Sequence, residues 1–451
     1  VDAIPDIGEN QQIVFTEWMG RSPQDIEDQI TYPIVTAMTA APKVKYARGQ
    51  SFLGLSFVNV VFEDGTDMYW ARSRVMEYMQ SVTNKLPEGI TPTLGPDATG
   101  VGWVFEYALV DESGEHDLWE LTSFQDWTLR YWLQSVPGVA EVATIGGMVK
   151  QYQITLDPNQ LLAYNIPLKT VIQAIRESNN DVGGRVLELS EREYMLRGLG
   201  YIETLDDLRD VFLALRKDGT PIFLGDVAKI QIGPDMRRGL ADLDGEGEVV
   251  GGVVIMRFGE NALNVIEGVK AKLKEIEASL PKGVKVVTTY DRSDLIYGAI
   301  DTLKEKLVEI TIVVSVISLL FLFHFRSALV AILILPVAIL ISFIAMYYLG
   351  LSSNVMSLGG IAIAVGAMVD AAIVMIENAH SRLEENPEAD RVTVIIDAAK
   401  ELGRPLFFSL IIITVSFMPV FTLESQEGRL FKPLAYTKTF AMFFSAGPIS
   451  S

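Results

Sequence analysis

After Asp294 the chain changes character, and apolar runs at 307–323, 328–349, 355–376 and 406–423 follow one another with few charges. Each is about long enough to cross the roughly 30 Å hydrocarbon core of a bilayer as a helix. Lipid offers the backbone no hydrogen-bond partners, so segments of this kind must be helical. Pro336 and Pro419 fall inside two of the runs, which membrane helices tolerate where neighbouring groups satisfy the freed carbonyls. The expectation is a transmembrane region over 305–451, with helices at about 307–323, 328–349, 355–378 and 406–423 and another from about 437. Basic residues set an orientation. His324-Phe325-Arg326 and the segment holding Arg382, Arg391, Lys400 and Arg404 fall on one side, whereas 350–354 carries no charge. Residues 1–294 are then outside the cytosol. Arg429, Lys432 and Lys438 would lie on the outer side and weaken this bias. The charged, amphipathic stretch 383–404 is expected to lie along the cytoplasmic surface.

Before Asp294, short β-like runs alternate with amphipathic helical patterns, as in α/β sandwiches with helices on one sheet face. In a first unit, 11–18 and 55–62 read as strands, and 23–40 and 67–86 as helices, a split βαβ pattern. A Pro/Gly-rich passage at 87–102 leads to a second unit with a strand at 105–110, a helix at 118–133 and a strand at 139–145. The rhythm then breaks. From 152 to about 233 the pattern holds a helix at 168–178, a turn at Gly183-Gly184 and a strand-turn-strand around Asp218-Gly219. The strand 249–257 and the helix 262–280 then resume the earlier pattern, so the intervening stretch reads as an insertion. The two units look related in arrangement, although not as a sequence repeat.

A formal net charge of −20, carried mainly by residues 1–300, argues against nucleic acid and leaves cations as more plausible partners. With no cysteine there are no disulfides, thiolate metal sites or cysteine catalysis, and Met, His and carboxylates are the available metal ligands. His116, His324 and His380 are isolated, without metal-ligand spacing. Ile145-Gly146-Gly147-Met148 and Gly245-Glu246-Gly247 lack the Lys-Ser/Thr of a phosphate-binding loop, so ATP is not the evident energy source. Val1 is followed by no leader, and the apolar run near Phe440 dissolves into small residues. Both ends are therefore expected to be truncated.

The chemistry concentrates in Gly366-Ala367-Met368-Val369-Asp370-Ala371-Ala372-Ile373-Val374-Met375-Ile376-Glu377. An ionised carboxylate at mid-bilayer costs about 2.5–3.5 kcal/mol, so Asp370 must face protein interior or water and meet a partner. Burial raises its proton affinity and a nearby cation lowers it, which together suit a proton relay, although a structural ion pair would also satisfy it. At about 100° per residue, Gly366, Asp370 and Glu377 fall within about 40° of one another. Glu377, nearer the surface, is a second candidate relay carboxylate or a solvated helix-end charge. Met368 and Met375 form a stripe roughly opposite, and Met356 lies off it. Thioethers are soft ligands that favour Cu(I) or Ag(I), but methionine in a membrane helix also simply packs.

Several segments together resemble the resistance-nodulation-division (RND) superfamily in its heavy-metal efflux branch. They are Asp2-Ala3-Ile4-Pro5-Asp6, Phe62-Glu63-Asp64-Gly65-Thr66-Asp67, Leu94-Gly95-Pro96-Asp97-Ala98-Thr99-Gly100, Asp226-Val227-Ala228, Thr289-Tyr290-Asp291-Arg292-Ser293 and the 356–380 helix. The stretch Ala364-Val365-Gly366-Ala367-Met368-Val369-Asp370-Ala371-Ala372 is similar to the copper/silver type. Divalent-metal pumps typically carry a phenylalanine-glycine variant before this aspartate, and multidrug members have two adjacent aspartates where this chain has Asp370 and Ala371.

The resemblance implies an α+β membrane protein. Periplasmic porter subdomains of α/β-sandwich type would occupy 1–98 and 99–150 with 235–294, and a docking subdomain 151–234, above a transmembrane helical bundle. It implies an inner-membrane proton/metal antiporter rather than an enzyme, exporting Cu(I) or Ag(I) as cargo from periplasm and cytoplasm with no cofactor. Asp370 and possibly Glu377 would relay protons, and Met356, Met368 and Met375 would pass the metal. Expected partners are two further copies in a homotrimer, a periplasmic membrane-fusion adaptor, an outer-membrane channel and the lipid bilayer, but no nucleic acid. Twelve membrane helices are usual in the family, so the relay partners of Asp370 and the main methionine cluster would lie beyond this chain. Efflux of divalent Zn, Co or Cd or of organic compounds, or a non-transporting scaffold, are the alternatives.

Overall fold

The computed structural model describes the chain except positions 1, 3, 190, 191, 238, 323, 324, 351, 352, 386, 387, 389 and 451. His324 therefore lies outside the described residues. The first sheet is antiparallel with strand order β2-β3-β1-β4, from β1 (Gln11–Glu17), β2 (Val44–Phe52), β3 (Leu55–Phe62) and β4 (Thr93–Leu94). Alternation decides its faces: Gln12, Val14 and Thr16 of β1 and Ser56, Val58 and Val60 of β3 point into the core. A helical segment and α1 (Met68–Thr83) cover that face. The helical segment starts at a Ser22–Asp25 capping box and buries Ile26, Ile30, Ile34 and Met38. A strict four-residue spacing drifts about 40° per turn in a regular α-helix. The π-turn Glu27–Thr31 widens the coil and holds these side chains in line.

The second sheet repeats this plan. Its order is β14-β5-β13-β6, with β5 (Trp103–Asp111), β6 (Val139–Gly146), β13 (Val250–Met256) and β14 (Val284–Asp291). α2 (Ala262–Ile276) and a helical segment again interrupted by a π-turn, Gln125–Leu129, pack on it. The shared π-turn strengthens the relation between the two units that their strand and helix order suggests. Gly252 of β13 lies directly opposite Tyr107 of β5, and a Cβ there would overlap the ring. The Tyr107 hydroxyl donates to Gln125 Oε1 at 2.9 Å, and burial pushes its pKa up.

Between β6 and β13 the chain leaves by β7 (Lys150–Leu156) and returns by β12 (Ala228–Pro234), paired antiparallel from Lys150↔Pro234 to Leu156↔Ala228. Within lie β8 (Val182–Leu189) paired with β9 (Arg192–Gly198), and β10 (Phe212–Leu215) paired with β11 (Pro221–Phe223). Helix Leu168–Ser178 and a separate core around Val171, Leu213 and Leu224 complete this part. Gly183 and Gly184, expected to form a turn, are in β8; Gly184 is there because a Cβ would overlap the Leu196 backbone. β2, β7, β12 and β14 lie outside the expected strands, although β7 and β12 do alternate apolar and polar residues; β2 and β14 are mixed along their length.

Five long helices follow: α3 (Arg292–Leu322), α4 (Phe325–Tyr348), α5 (Val355–Glu385), α6 (Arg391–Val415) and α7 (Ser425–Ser450). They differ from the expected bounds at polar ends. α3 begins directly after β14, well before the apolar run at 307, and α7 begins at Ser425 rather than near 437. The stretch 383–404 is no separate surface helix. Its second half is the start of α6, which continues through Pro405 because one missing N–H does not outweigh the packing of Ala398, Gly403 and Leu410. The apolar run 406–423 instead divides at Val415, and Pro419 sits in the short 3₁₀ turn Met418–Thr422.

Ile339, Met346, Ile361, Ala364, Val365, Ala371, Leu410, Ala441 and Met442 form the core among these helices. Val308, Ile312, Leu340, Ile344 and Ile412 point outward and are exposed. Among the described residues, the segment Arg391–Thr422 is long and apolar enough to cross a membrane, with mean hydropathy 2.0 and 6% of its apolar window buried.

Gly252→Ala is expected to displace the Tyr107 ring and cost about 1–3 kcal/mol of stability, as overpacking does. A lowered denaturation midpoint for residues 99–294 of the intact chain would show it. An unchanged midpoint would mean the ring yields freely.

Candidate functional site

α5 opens on a buried side-chain cap: Asn354 Oδ1 accepts from the Ser357 N–H at 2.9 Å. From there the helix has two faces. Ser357, Leu358, Gly360, Ile361, Ala364, Val365 and Ala371 are buried against the neighbouring helices. Small residues let those helices come close; at Gly360 a Cβ would overlap Thr437 Oγ1 and the Leu434 carbonyl of α7. The other face carries Val355, Ile363, Gly366, Asp370, Val374 and Glu377, all exposed. These six fall within an arc of about 100° at the helical repeat.

Asp370 and Glu377 therefore share one open stripe, about 10 Å apart along the axis at 1.5 Å per residue. Among the described residues neither carboxylate makes a hydrogen bond or ion pair to protein. Glu377 is thus not paired with a local Lys or Arg, although Arg382 one turn on bonds Glu401 of α6 at 2.5 Å. Gly366 has open space where a Cβ would be, whereas Gly360 makes a close helix contact.

The methionines are elsewhere. Met375 is half-buried on the packed side, where the spacing puts it, and the Met368 side chain lies outside the described residues. Met356 is half-buried in the first turn, about 28 Å along the axis from Met375. The structure does not bring Met356 and Met375 together, nor either of them to Asp370. Among the described residues, no group of three or more His, Asp or Glu side chains has metal-holding geometry. His116, in the bend before the helix Leu118–Phe124, faces Glu120 at 3.5 Å, and His380 faces Glu384 of its own helix at 3.3 Å.

Sequence reasoning missed two features. Gly360 was legible only as one of a glycine pair, since nothing local says which helix crosses there. Lys438, expected among outer-side charges, is 5% exposed on α7, with its ammonium 3.1 Å from the Phe417 ring centroid. The ring comes from another element, so no local pattern announces the contact.

The family model described as "AcrB/AcrD/AcrF family" matches residues 1–446. The chain is 58% identical to "Cation efflux system protein CusA" of Escherichia coli (strain K12), over 98% of this chain and 43% of that protein. It is 56% identical to "Putative cation efflux system protein SilA" of Salmonella typhimurium over the same shares. "Cobalt-zinc-cadmium resistance protein CzcA" of Cupriavidus metallidurans is 37% identical, again over 98% of this chain and 43% of its own length. A crystal structure of a heavy metal efflux pump superposes with a TM-score of 0.88 at 33% identity, covering 100% of this chain and 44% of that one. The chain thus spans less than half the length of the curated relatives it matches. It belongs to the AcrB/AcrD/AcrF family of RND transporters.

Proposed function

We propose that this chain forms the N-terminal part of a proton-driven exporter of Cu(I) or Ag(I) in the bacterial inner membrane. The observation that carries the reading is the open stripe of α5, where Asp370 stands exposed in the otherwise apolar stretch 358–376 of a helix that packs tightly on its opposite face. A charge so placed in hydrocarbon is too costly to keep without a function or a covering partner. The remainder of the protein, over half its length by comparison with the relatives, would supply that cover and a cation that tunes Asp370. Proton uptake from one side and release to the other then changes the charge on α5, and with it which helix arrangement is favoured.

Copper or silver is favoured over divalent metal by the sequence around Asp370. The higher identity to CusA and SilA than to the cobalt-zinc-cadmium protein supports this. Within the same reading, α3 to α7 span the bilayer, and their outward Val, Ile and Leu side chains face lipid. The two related sheets are porter subdomains at 1–98 and at 99–150 with 235–294, and 151–234 docks. Three copies assemble with a periplasmic adaptor and an outer-membrane channel. Glu377 is a second station on the proton path. Met356, Met368 and Met375 hand on the metal by thioether coordination, which for Met375 requires the ion to pass between packed helices.

In the complete transporter, Asp370→Asn should lower copper and silver tolerance to that of cells lacking the pump, while the oligomer remains intact by native electrophoresis. Retained tolerance removes the proton role. Replacing Met368 and Met375 by Leu should preserve folding and weaken Ag(I) export, measured as uptake into inverted vesicles. Export at the parental rate returns both residues to packing. A tolerance panel that shows protection against Zn and Co but not Cu and Ag would favour divalent cargo.

A further inference from the structure

α7 touches both the helix that carries Asp370 and the first sheet. In its first turns the Arg429 guanidinium donates to the Gly8 carbonyl and to Asp64 Oδ1, the latter at 2.5 Å. Gly8 leads into β1, and Asp64 sits in the turn that leaves β3, completed by Gly65 at φ +79°. Both acceptors thus flank strands of the first sheet, several hundred residues earlier in sequence. A cleft of about 690 Å³ borders the joint and is lined by Asp6, Glu424 and Lys432 among others. About 8 to 12 Å further along α7, Leu434 and Thr437 meet Gly360 of α5 at the close crossing described above. α7 therefore links Gly360, ten residues before Asp370, to a charge-assisted bond beside the first sheet, with Pro433 lying between the two contacts.

We propose that Arg429 is the joint that passes displacement of the Asp370 helix to the first sheet. The inference rests on the proton-driven reading above and assigns Arg429 a positioning role, since it touches neither proton nor metal. Arginine suits the place because one planar fork serves a carbonyl and a carboxylate together, which a lysine ammonium holds less rigidly. The guanidinium is 24% and the Asp64 side chain 48% exposed, so solvent and salt reach the bond mainly from the carboxylate side.

The test uses the complete transporter in lipid vesicles, with Ag(I) transport driven by an imposed pH gradient. Arg429→Ala should lower the maximal rate about tenfold, the scale of a lost coupling contact, with KM for Ag(I), melting temperature and oligomeric state unchanged. Arg429→Lys should fall between the two. The exchanged pair Arg429→Asp with Asp64→Arg should regain part of the rate. A parental rate in Arg429→Ala overturns the joint, as does a loss confined to KM or to melting temperature, or an exchanged pair no better than Arg429→Ala. Asp370→Asn is measured alongside. If it transports normally, the proton-driven reading fails; if it is inactive while Arg429→Ala is normal, the joint alone fails.

Discussion

A carboxylate in the middle of an apolar helix is the constraint on which the rest depends. Ionised in hydrocarbon it is costly, by about 2.5–3.5 kcal/mol on insertion scales. α5 separates its faces accordingly. Gly360, Ala364 and Ala371 lie on the side that other helices approach, and Asp370 and Glu377 lie on the side they leave open. The packed face ties the helix to its neighbours, so under the proposed function a change of charge on the open face would bear on how those helices are arranged.

That packing also sets how a charge change can act at a distance. α5 meets α7 where glycine permits close approach, and the first turns of α7 bond the turn after β3. Arg292, at the start of α3, makes a comparable tie, donating to the carbonyls of Val101 and Trp103 at 2.6 and 2.7 Å. The two sheets are therefore bonded to different helices, the first to α7 and the second through β14 to α3. Relative motion of those helices would move the sheets relative to each other, which is what an alternating export path requires.

Much of this was legible in sequence because it rests on periodicity. The strand 55–62 and the helix 168–178 follow from local alternation and amphipathic spacing, and the structure has both with the same bounds. The stripe of Gly366, Asp370 and Glu377 follows from 100° per residue. What was not legible depends on partners from elsewhere in the chain. Gly184 reads as a turn residue until Leu196 is seen beside it, and Lys438 reads as a surface charge until Phe417 covers it. Likewise, the apolar edge of a run does not mark where a helix starts, so the apolar runs alone do not show the polar beginnings of α3, α6 and α7. The π-turns had no local signal beyond the four-residue spacing of Ile26, Ile30, Ile34 and Met38.

The central claim is that Asp370 changes protonation as metal is moved. Difference infrared spectroscopy on the complete transporter in lipid, recorded before and after Ag(I) addition, tests it most directly. The account predicts a change in a protonated-carboxyl C=O band in the parental protein that is missing from Asp370→Asn. A band that persists in the variant, or a parental spectrum without any carboxyl change on Ag(I) addition, would contradict it.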